Sequence, residues 1–240
     1  MRSFNPSFVI ESIPNLLAWL PITLLVLAAT AVIGTVLGAI LARSGLSRLS
    51  LLRTVSALII GAVRCTPPIV MLFLIYYGLP IIVRSTTGMD INTWHKALFV
   101  IAALAILFSA NMAEIMRAAY TSIDRGQREA AVSVGLSENQ AFARIVLPQA
   151  TAAALPNFTT ALVNLAKDGS LAYTIGLVDM MGQGNLIIAR NHGAYGLEIY
   201  TALAIIYWLF TIVLEKVLLH WEKRLRAGSR PLIAEGGSQL

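Results

Sequence analysis

The chain has 240 residues and a net charge of +6; 57% of its residues are hydrophobic and only 12% carry a charge. Soluble domains average roughly 25% charged residues, so this composition excludes an ordinary soluble domain and indicates a protein of the lipid bilayer. The single cysteine, Cys65, excludes an internal disulfide framework and a cysteine-rich metal site. The basic residues stand beside apolar runs, which is typical of membrane orientation, so no nucleic-acid partner is predicted.

Long apolar stretches predict about five membrane-spanning helices. The first stretch contains no formal charge and exceeds the roughly 20 residues that a spanning helix needs. It is too long for a secretory signal and lacks the early positive region and the small-residue cleavage site. The predicted spans cover about residues 12–42, 55–83, 94–112, 145–166 and 198–219.

Two of these stretches are interrupted by polar or helix-breaking residues. The second contains Arg64 and a kink at Pro67. The fourth contains two prolines and is followed directly by Lys167 and Asp168. Charged groups between apolar runs are costly in a membrane, and by default they mark a functional path or an ion pair. Both interpretations of Lys167 and Asp168 stay open at this point.

The basic residues predict the orientation of the chain. Loops on one side of the predicted spans hold most of the arginines, and the opposite loops hold few. The positive-inside rule therefore places the N-terminus outside and the C-terminus in the cytoplasm. The end of the chain, 226–240, is predicted to be a flexible cytoplasmic tail.

The most polar and most patterned stretch is 124–148, which this orientation places in the cytoplasm. Asp124 can cap a first short helix, and Gly135 stands where a left-handed cap would end it. Ser137 and Gln140 have the spacing of a capping box, and the second helix is expected to end before Pro148. Two short helices meeting at a corner form either a projection to which a partner docks or an amphipathic hairpin packed on the bundle.

The same stretch resembles a known motif. Glu129-Ala130-Ala131, three residues, Gly135, nine residues, Ile145, one residue and Leu147-Pro148 match the EAA loop of membrane subunits of ATP-binding cassette (ABC) importers. The likeness to permeases of the polar amino-acid family runs from about residue 16 to residue 225. Four further segments carry it: Arg64-Cys65-Thr66-Pro67, Tyr77-Gly78-Leu79-Pro80, Ala113-Glu114-Ile115-Met116-Arg117 and Lys167-Asp168-Gly169-Ser170-Leu171.

The resemblance implies an all-α integral membrane protein with the type I ABC importer permease fold. It implies a permease domain at 1–225 and a multi-pass location in the bacterial cytoplasmic (inner) membrane. The implied function is the import of polar amino acids, with permeases for cystine and related sulfur compounds as the most similar group. The alternative is an ion-coupled secondary transporter with Lys167 and Asp168 as its relay, although five spans leave little room for the internal repeats of such carriers.

The resemblance also implies the partners of the chain. These are a second permease chain, identical or homologous, two ATPase subunits, an extracytoplasmic substrate-binding protein, an amino-acid substrate and membrane lipid. No GxxxxGK[ST] loop is present, so ATP and Mg²⁺ are expected on the ATPase subunits and no cofactor on this chain. The histidines have no metal-ligand spacing, so no metal site is predicted. We do not expect the chain to be an enzyme.

The resemblance assigns two sets of candidate site residues. The residues expected to contact the ATPase are Glu129, Ala130, Ala131, Gly135, Leu147 and Pro148. The residues expected along the translocation pathway are Arg64, Asn164, Lys167, Asp168 and Ser170. Gly169 replaces the usual threonine of the family, so this position has no side-chain hydroxyl.

Further polar residues near the spans have two interpretations each. Glu114 and Arg117 lie one turn apart and form either a local ion pair or the marker of a gate end. A group of amides and hydroxyls either bonds between helices or gives the pathway a polar lining for an amino-acid zwitterion. That group consists of Asn111, Asn157, Thr159, Thr160 and Asn164.

Overall fold

A computed structural model describes residues 4–228 of the chain, and within that range it is helical without any strand. The predicted all-α class is therefore confirmed. The α-helices are α1 (Pro6–Leu17), α2 (Leu20–Gly45), α3 (Ser50–Cys65), α4 (Pro68–Phe73), α5 (Leu79–Thr87), α6 (Lys96–Thr121), α7 (Arg125–Ser133), α8 (Glu138–Ala141), α9 (Leu147–Gly169), α10 (Met180–Arg190) and α11 (Gly196–Gly228). Single wider π-helical turns join α4 to α5 and α8 to α9, and a 3-10 segment, Ser170–Ile175, follows α9.

Within residues 4–228, four helical stretches are long and apolar enough to cross a membrane. They are Leu20–Gly45, Pro68–Thr87, Lys96–Thr121 and Gly196–Trp221. The predicted fourth span corresponds to α9, whose 23 residues are not in this set. Polar residues spaced along α9 lower its mean hydropathy, so the count of five spans stays a prediction.

The predicted start of the first span, at residue 12, is wrong. The chain forms a separate helix, α1, and the apolar α2 begins only at Leu20. The amides of Ala18 and Trp19 bond back to carbonyls of α1, which closes that helix. Pro21 then stands in the first turn of α2, where its missing N–H costs no hydrogen bond.

Three other prolines differ in their effect on the helices. The kink at Pro67 is confirmed, because α3 ends at Cys65 and Thr66 is extended. The expected helix end before Pro148 is wrong: a π-helical turn, Phe142–Val146, runs straight into α9, with Pro148 in its first turn. Nor does Pro156 break α9, which continues to Gly169.

Helix α6 is the centre of the bundle. In its most apolar stretch 56% of the residues are buried, against 22% in α2 and 17% in the last span. Helix α2 packs on it through small residues: a Cβ at Gly34 would lie 2.8 Å from the Phe108 ring, and one at Gly38 would lie 2.5 Å from the Met112 Cβ. Small residues at every fourth position let two membrane helices approach closely.

The buried apolar side chains form two clusters. The large cluster joins α2, α4, α6 and α9 with the 3-10 segment, and Leu177 belongs to it. The small cluster joins α1, α10 and α11 around Leu16, Met180 and Ile199. The Phe8 and Tyr195 rings stack at 3.8 Å beside the small cluster.

Helix α11 extends beyond the predicted last span. It reaches Gly228, so residues 226–228 of the predicted tail are helical. The rest of the predicted tail, 229–240, lies outside the described residues.

Candidate functional site

The coupling segment, residues 124–148, begins with two short helices set at a sharp corner. The Asp124 carboxylate accepts from the Gly126 amide at 2.7 Å and caps α7, as predicted, although Gln127 does not complete a capping box. Gly135 has φ +93°, and the Leu136 amide reaches back to the Ala131 carbonyl at 3.2 Å. This closes α7 with a left-handed cap. The sequence-predicted role of Gly135 as the corner residue is confirmed.

Helix α8 starts with the predicted capping box. The Gln140 amide donates to the Ser137 hydroxyl at 3.3 Å, and the Ser137 amide donates to the Gln140 side-chain oxygen at 3.0 Å. The two reciprocal hydrogen bonds satisfy backbone groups that a helix start otherwise leaves free. The corner between α7 and α8 is therefore defined on both sides by local hydrogen bonds.

An ion pair also joins the two short helices. The Arg128 Nε donates to the Glu138 Oε2 at 2.6 Å, and both side chains are largely exposed. This hydrogen bond lowers the pKa of the Glu138 carboxyl below its usual value, so the pair is intact at neutral pH and is lost as the pH falls through that lowered pKa. Sequence reasoning did not single out Glu138; opposite charges on either side of the glycine corner were the available signal.

Of the six residues predicted to contact the ATPase, five are exposed and one is buried. Glu129, Ala130, Gly135, Leu147 and Pro148 are exposed on the described chain. Ala131 is buried at 7% exposure and packs within the chain, so it offers little surface to a partner. Sequence reasoning missed the most open apolar side chain of the segment, Val134, which is 81% exposed at the corner.

A groove with a volume of about 670 Å³ lies beside the coupling segment, where α6 ends. Its lining includes Tyr120 from α6, Leu46 from the end of α2 and the Arg128–Glu138 pair. The groove places the charged pair next to apolar side chains. The coupling segment thus presents a mixed polar and apolar surface.

Helix α9 carries a polar face. Asn157, Thr160, Asn164 and Lys167 follow one another at intervals of three, four and three residues, so they lie on one side of the helix. All four are exposed. The Thr160 hydroxyl bonds to the Pro156 carbonyl of its own helix at 3.2 Å. Within residues 4–228 the side chains of Asn157 and Asn164 form no hydrogen bond, so these two make no bond between helices there. Their alternative interpretation, a polar lining of the pathway, stays a prediction.

The end of α9 holds the remaining predicted pathway residues. Among the described residues the Lys167 ammonium and the Asp168 carboxylate form no salt bridge, although their opposite charges attract each other. Their interpretation as a structural ion pair stays a prediction. Lys167 is exposed and Asp168 is half-buried. The Ser170 hydroxyl donates to the Lys167 carbonyl at 2.7 Å, where the α-helix tightens into the 3-10 segment. That segment ends at Gly176 with φ +78°.

The other polar candidates lie elsewhere. Arg64 is exposed in the last turn of α3, which packs on α2 and α6, so the structure does not group it with the α9 residues. Glu114 and Arg117 form the local ion pair, in which the Arg117 Nε donates to the Glu114 Oε2 at 3.0 Å.

No group of three or more histidine, cysteine or acidic side chains in the described range could hold a metal ion.

Residues 34–227 match the family described as the binding-protein-dependent transport system inner membrane component. This chain belongs to that family. The permease is a transport subunit of the ABC type in the inner membrane, and the predicted multi-pass location is confirmed.

Similar proteins cover almost the whole permease. It is 36% identical over 233 residues to the L-cystine transport system permease protein TcyL of Bacillus subtilis (strain 168), covering 97% of this chain and 96% of the relative. It is 35% identical over 222 residues to the probable amino-acid ABC transporter permease protein PatM of Vibrio harveyi, covering 92% and 96%.

Solved structures share the fold. A chain from a crystal structure of an amino acid ABC transporter with histidines superposes with a TM-score of 0.79 at 29% identity, covering 93% of the permease and all of that chain. A chain of the inward-facing MetNI methionine ABC transporter has a TM-score of 0.59 at 21% identity, covering 93% of the permease and 97% of that chain. The predicted type I importer permease fold is confirmed.

Proposed function

We propose that this permease is the membrane subunit of an ATP-driven importer that brings polar amino acids into the cytoplasm, with cystine or a related sulfur-containing amino acid as cargo. The observation that carries the proposal is the near full-length similarity to TcyL, which is named for L-cystine transport. TcyB of Bacillus subtilis (strain 168), also named for L-cystine, is 31% identical over 206 residues. The comparisons do not favour the ion-coupled carrier.

The coupling segment contacts the ATPase in this proposal. A contact that transmits movement needs a stiff element, and local caps and the Arg128–Glu138 pair hold the corner of this one. Exposed Glu129 offers a charge to the partner, and exposed Ala130 and Val134 allow the partner to approach closely. ATP and Mg²⁺ bind to the ATPase subunits and not to this chain, which has no phosphate-binding loop.

The polar face of α9 lines the translocation pathway in this proposal. Exposed amides and an exposed ammonium group are costly against lipid, so this face turns toward water or toward a second permease chain. Lys167 offers a positive charge for the carboxylate of an amino acid, and Asn157 and Asn164 offer amide donors and acceptors. Asp168 and Ser170 form the outer end of this path. Arg64 belongs to the pathway by the family resemblance alone, since its helix α3 packs on α2 and α6.

The assembly contains two permease chains, two ATPase subunits below them and an extracytoplasmic binding protein above. Residues 1–225 of each permease form the membrane domain. ATP binding closes the ATPases, the two coupling segments move together, and the pathway switches from inward-facing to outward-facing. The binding protein then releases its cargo into the opening, and this chain performs no bond chemistry.

Uptake into proteoliposomes tests the proposed cargo and path. The permease is reconstituted with its ATPase and binding protein, and radiolabelled cystine is supplied with ATP or with a proton gradient. We expect uptake with ATP only. Lys167→Gln should raise the KM for uptake about tenfold, because a charge-assisted hydrogen bond is lost, while Lys167→Arg and the exposed Lys216→Gln should behave as wild type. Uptake driven by the proton gradient alone contradicts the proposal.

A further inference from the structure

Thr23 and Asp179 form a buried polar contact between distant parts of the chain. Their side chains are 7% and 2% exposed. The Thr23 hydroxyl donates to the Asp179 Oδ2 at 3.3 Å and accepts from the Met180 amide at 3.2 Å. The other carboxylate oxygen accepts from the Gly182 amide at 2.9 Å and caps α10. One threonine of α2 therefore holds the start of α10 through both a side chain and a backbone group.

This contact lies where the chain passes from one apolar cluster to the other. Leu177 packs in the large cluster and Met180, three residues later, packs in the small cluster. Helix α2 belongs to the large cluster and otherwise packs little on α10. The Thr23–Asp179 contact is thus a polar joint at the place where the large and the small cluster meet.

The joint is also adjacent to the end of the polar face of α9. A cavity of about 10 Å³, the size of a single water molecule, is lined by Thr23, Asp179, Ala166 and Gly169. The last two residues flank Lys167 and Asp168 in sequence. The joint therefore lies directly beside the stretch of chain that carries two predicted pathway residues.

A buried carboxylate that loses a hydrogen-bond donor is strongly disfavoured, so the joint holds firmly when it is formed. We propose that Thr23 and Asp179 are positioning residues for transport: their contact fixes segment 176–184 at the outer end of the α9 face and so couples ATP hydrolysis to uptake. The transport part of this inference rests on the proposed function; the structural part does not.

Thr30 provides a matched control on the same helix. It lies two turns from Thr23 and is fully buried, and among the described residues its hydroxyl has no hydrogen-bond partner. Replacement of either threonine by valine keeps the shape and removes a hydroxyl. Only Thr23→Val removes hydrogen bonds to α10.

Hydrogen exchange and coupling measurements on the assembled importer in nanodiscs test the inference. In Thr23→Val, the Met180 amide should exchange about tenfold faster, because its acceptor is gone. Cystine imported per ATP hydrolysed should fall, and ATP hydrolysis without the binding protein should rise. Thr30→Val and Thr23→Ser should match wild type in all three measurements.

One result would contradict the positioning role, and a different result would contradict the proposed function. If Thr23→Val matches Thr30→Val in exchange and in uptake per ATP, the joint has no positioning role. If Thr23→Val does not assemble, the same comparison is made with Thr23→Ala and Thr30→Ala. A wild-type importer without ATP-driven uptake would contradict the proposed function instead, and the exchange result would still decide whether the joint holds segment 176–184.

Discussion

At the scale of single residues, Gly38 determines how closely α2 approaches α6. A Cβ at this position would lie 2.5 Å from the Met112 Cβ and 2.9 Å from the Ser109 carbonyl oxygen. Neither neighbour is the free end of a flexible chain. The helices would have to move apart to admit any larger side chain.

We therefore expect Gly38→Val to destabilise the permease by roughly 1–3 kcal/mol, as overpacked cores do. Thermal unfolding of the purified protein in detergent measures the loss. The control is Gly61→Ala, since a Cβ at Gly61 meets nothing within 4 Å. Equal unfolding temperatures for the two variants would show that the α2–α6 contact is looser than the structure indicates.

Local sequence rules predicted individual residues of the coupling segment well. Asp124, Gly135, Ser137 and Gln140 act as caps because each bonds within two to five residues of itself, and such bonds depend little on the rest of the fold. The burial of Ala131 could not be predicted in this way, because it depends on which face of α7 meets the bundle.

At the scale of elements, the wrong predictions concern where helices end. A proline signals a helix end in isolation, yet Pro148 and Pro156 are accommodated, the first in the opening turn of α9 and the second within it. The Thr159 and Thr160 hydroxyls bond to carbonyls four residues earlier in this region. Tertiary packing and a π-helical turn override the local rule, and neither has a plain sequence signature.

The Arg128–Glu138 pair should stiffen the corner between α7 and α8. We expect Arg128→Ala and Glu138→Ala to lower uptake per ATP to a similar extent, and the double variant to be no worse than either, because both remove the same contact. Arg144→Ala is the control, since Arg144 is exposed and forms no ion pair among the described residues. Additive losses in the double variant would mean that the two residues act separately.

At the scale of the whole molecule, the polar face of α9 explains why composition alone did not confirm five spans. Helix α9 packs against α6 and α11. In the proposed function its polar face lines the pathway, so α9 needs less apolar surface than a helix that faces lipid on most sides. The sequence predicted the fold class and the coupling segment. The Thr23–Asp179 joint could not be predicted, because it depends on a contact between residues 156 positions apart.

Cysteine labelling distinguishes five spans from four. In a Cys65→Ser background, Asn139→Cys lies in the coupling segment and Ala194→Cys lies beyond α9; both positions are exposed. If α9 spans the membrane, an impermeant thiol reagent applied outside should label only Ala194→Cys. Labelling of both or of neither from one side would mean that α9 does not cross.

In the proposed function, the exposed corner of the coupling segment transmits ATP hydrolysis to transport. The most direct measurement is ATP-driven cystine uptake by proteoliposomes that contain wild-type permease or the Glu129→Lys plus Gly135→Asp variant, each with its ATPase and binding protein. Both substitutions alter exposed positions, and Gly135 has a backbone φ of +93° that other residues adopt at a cost. We expect the folded variant to lose uptake. Uptake equal to wild type in the folded variant would contradict the account.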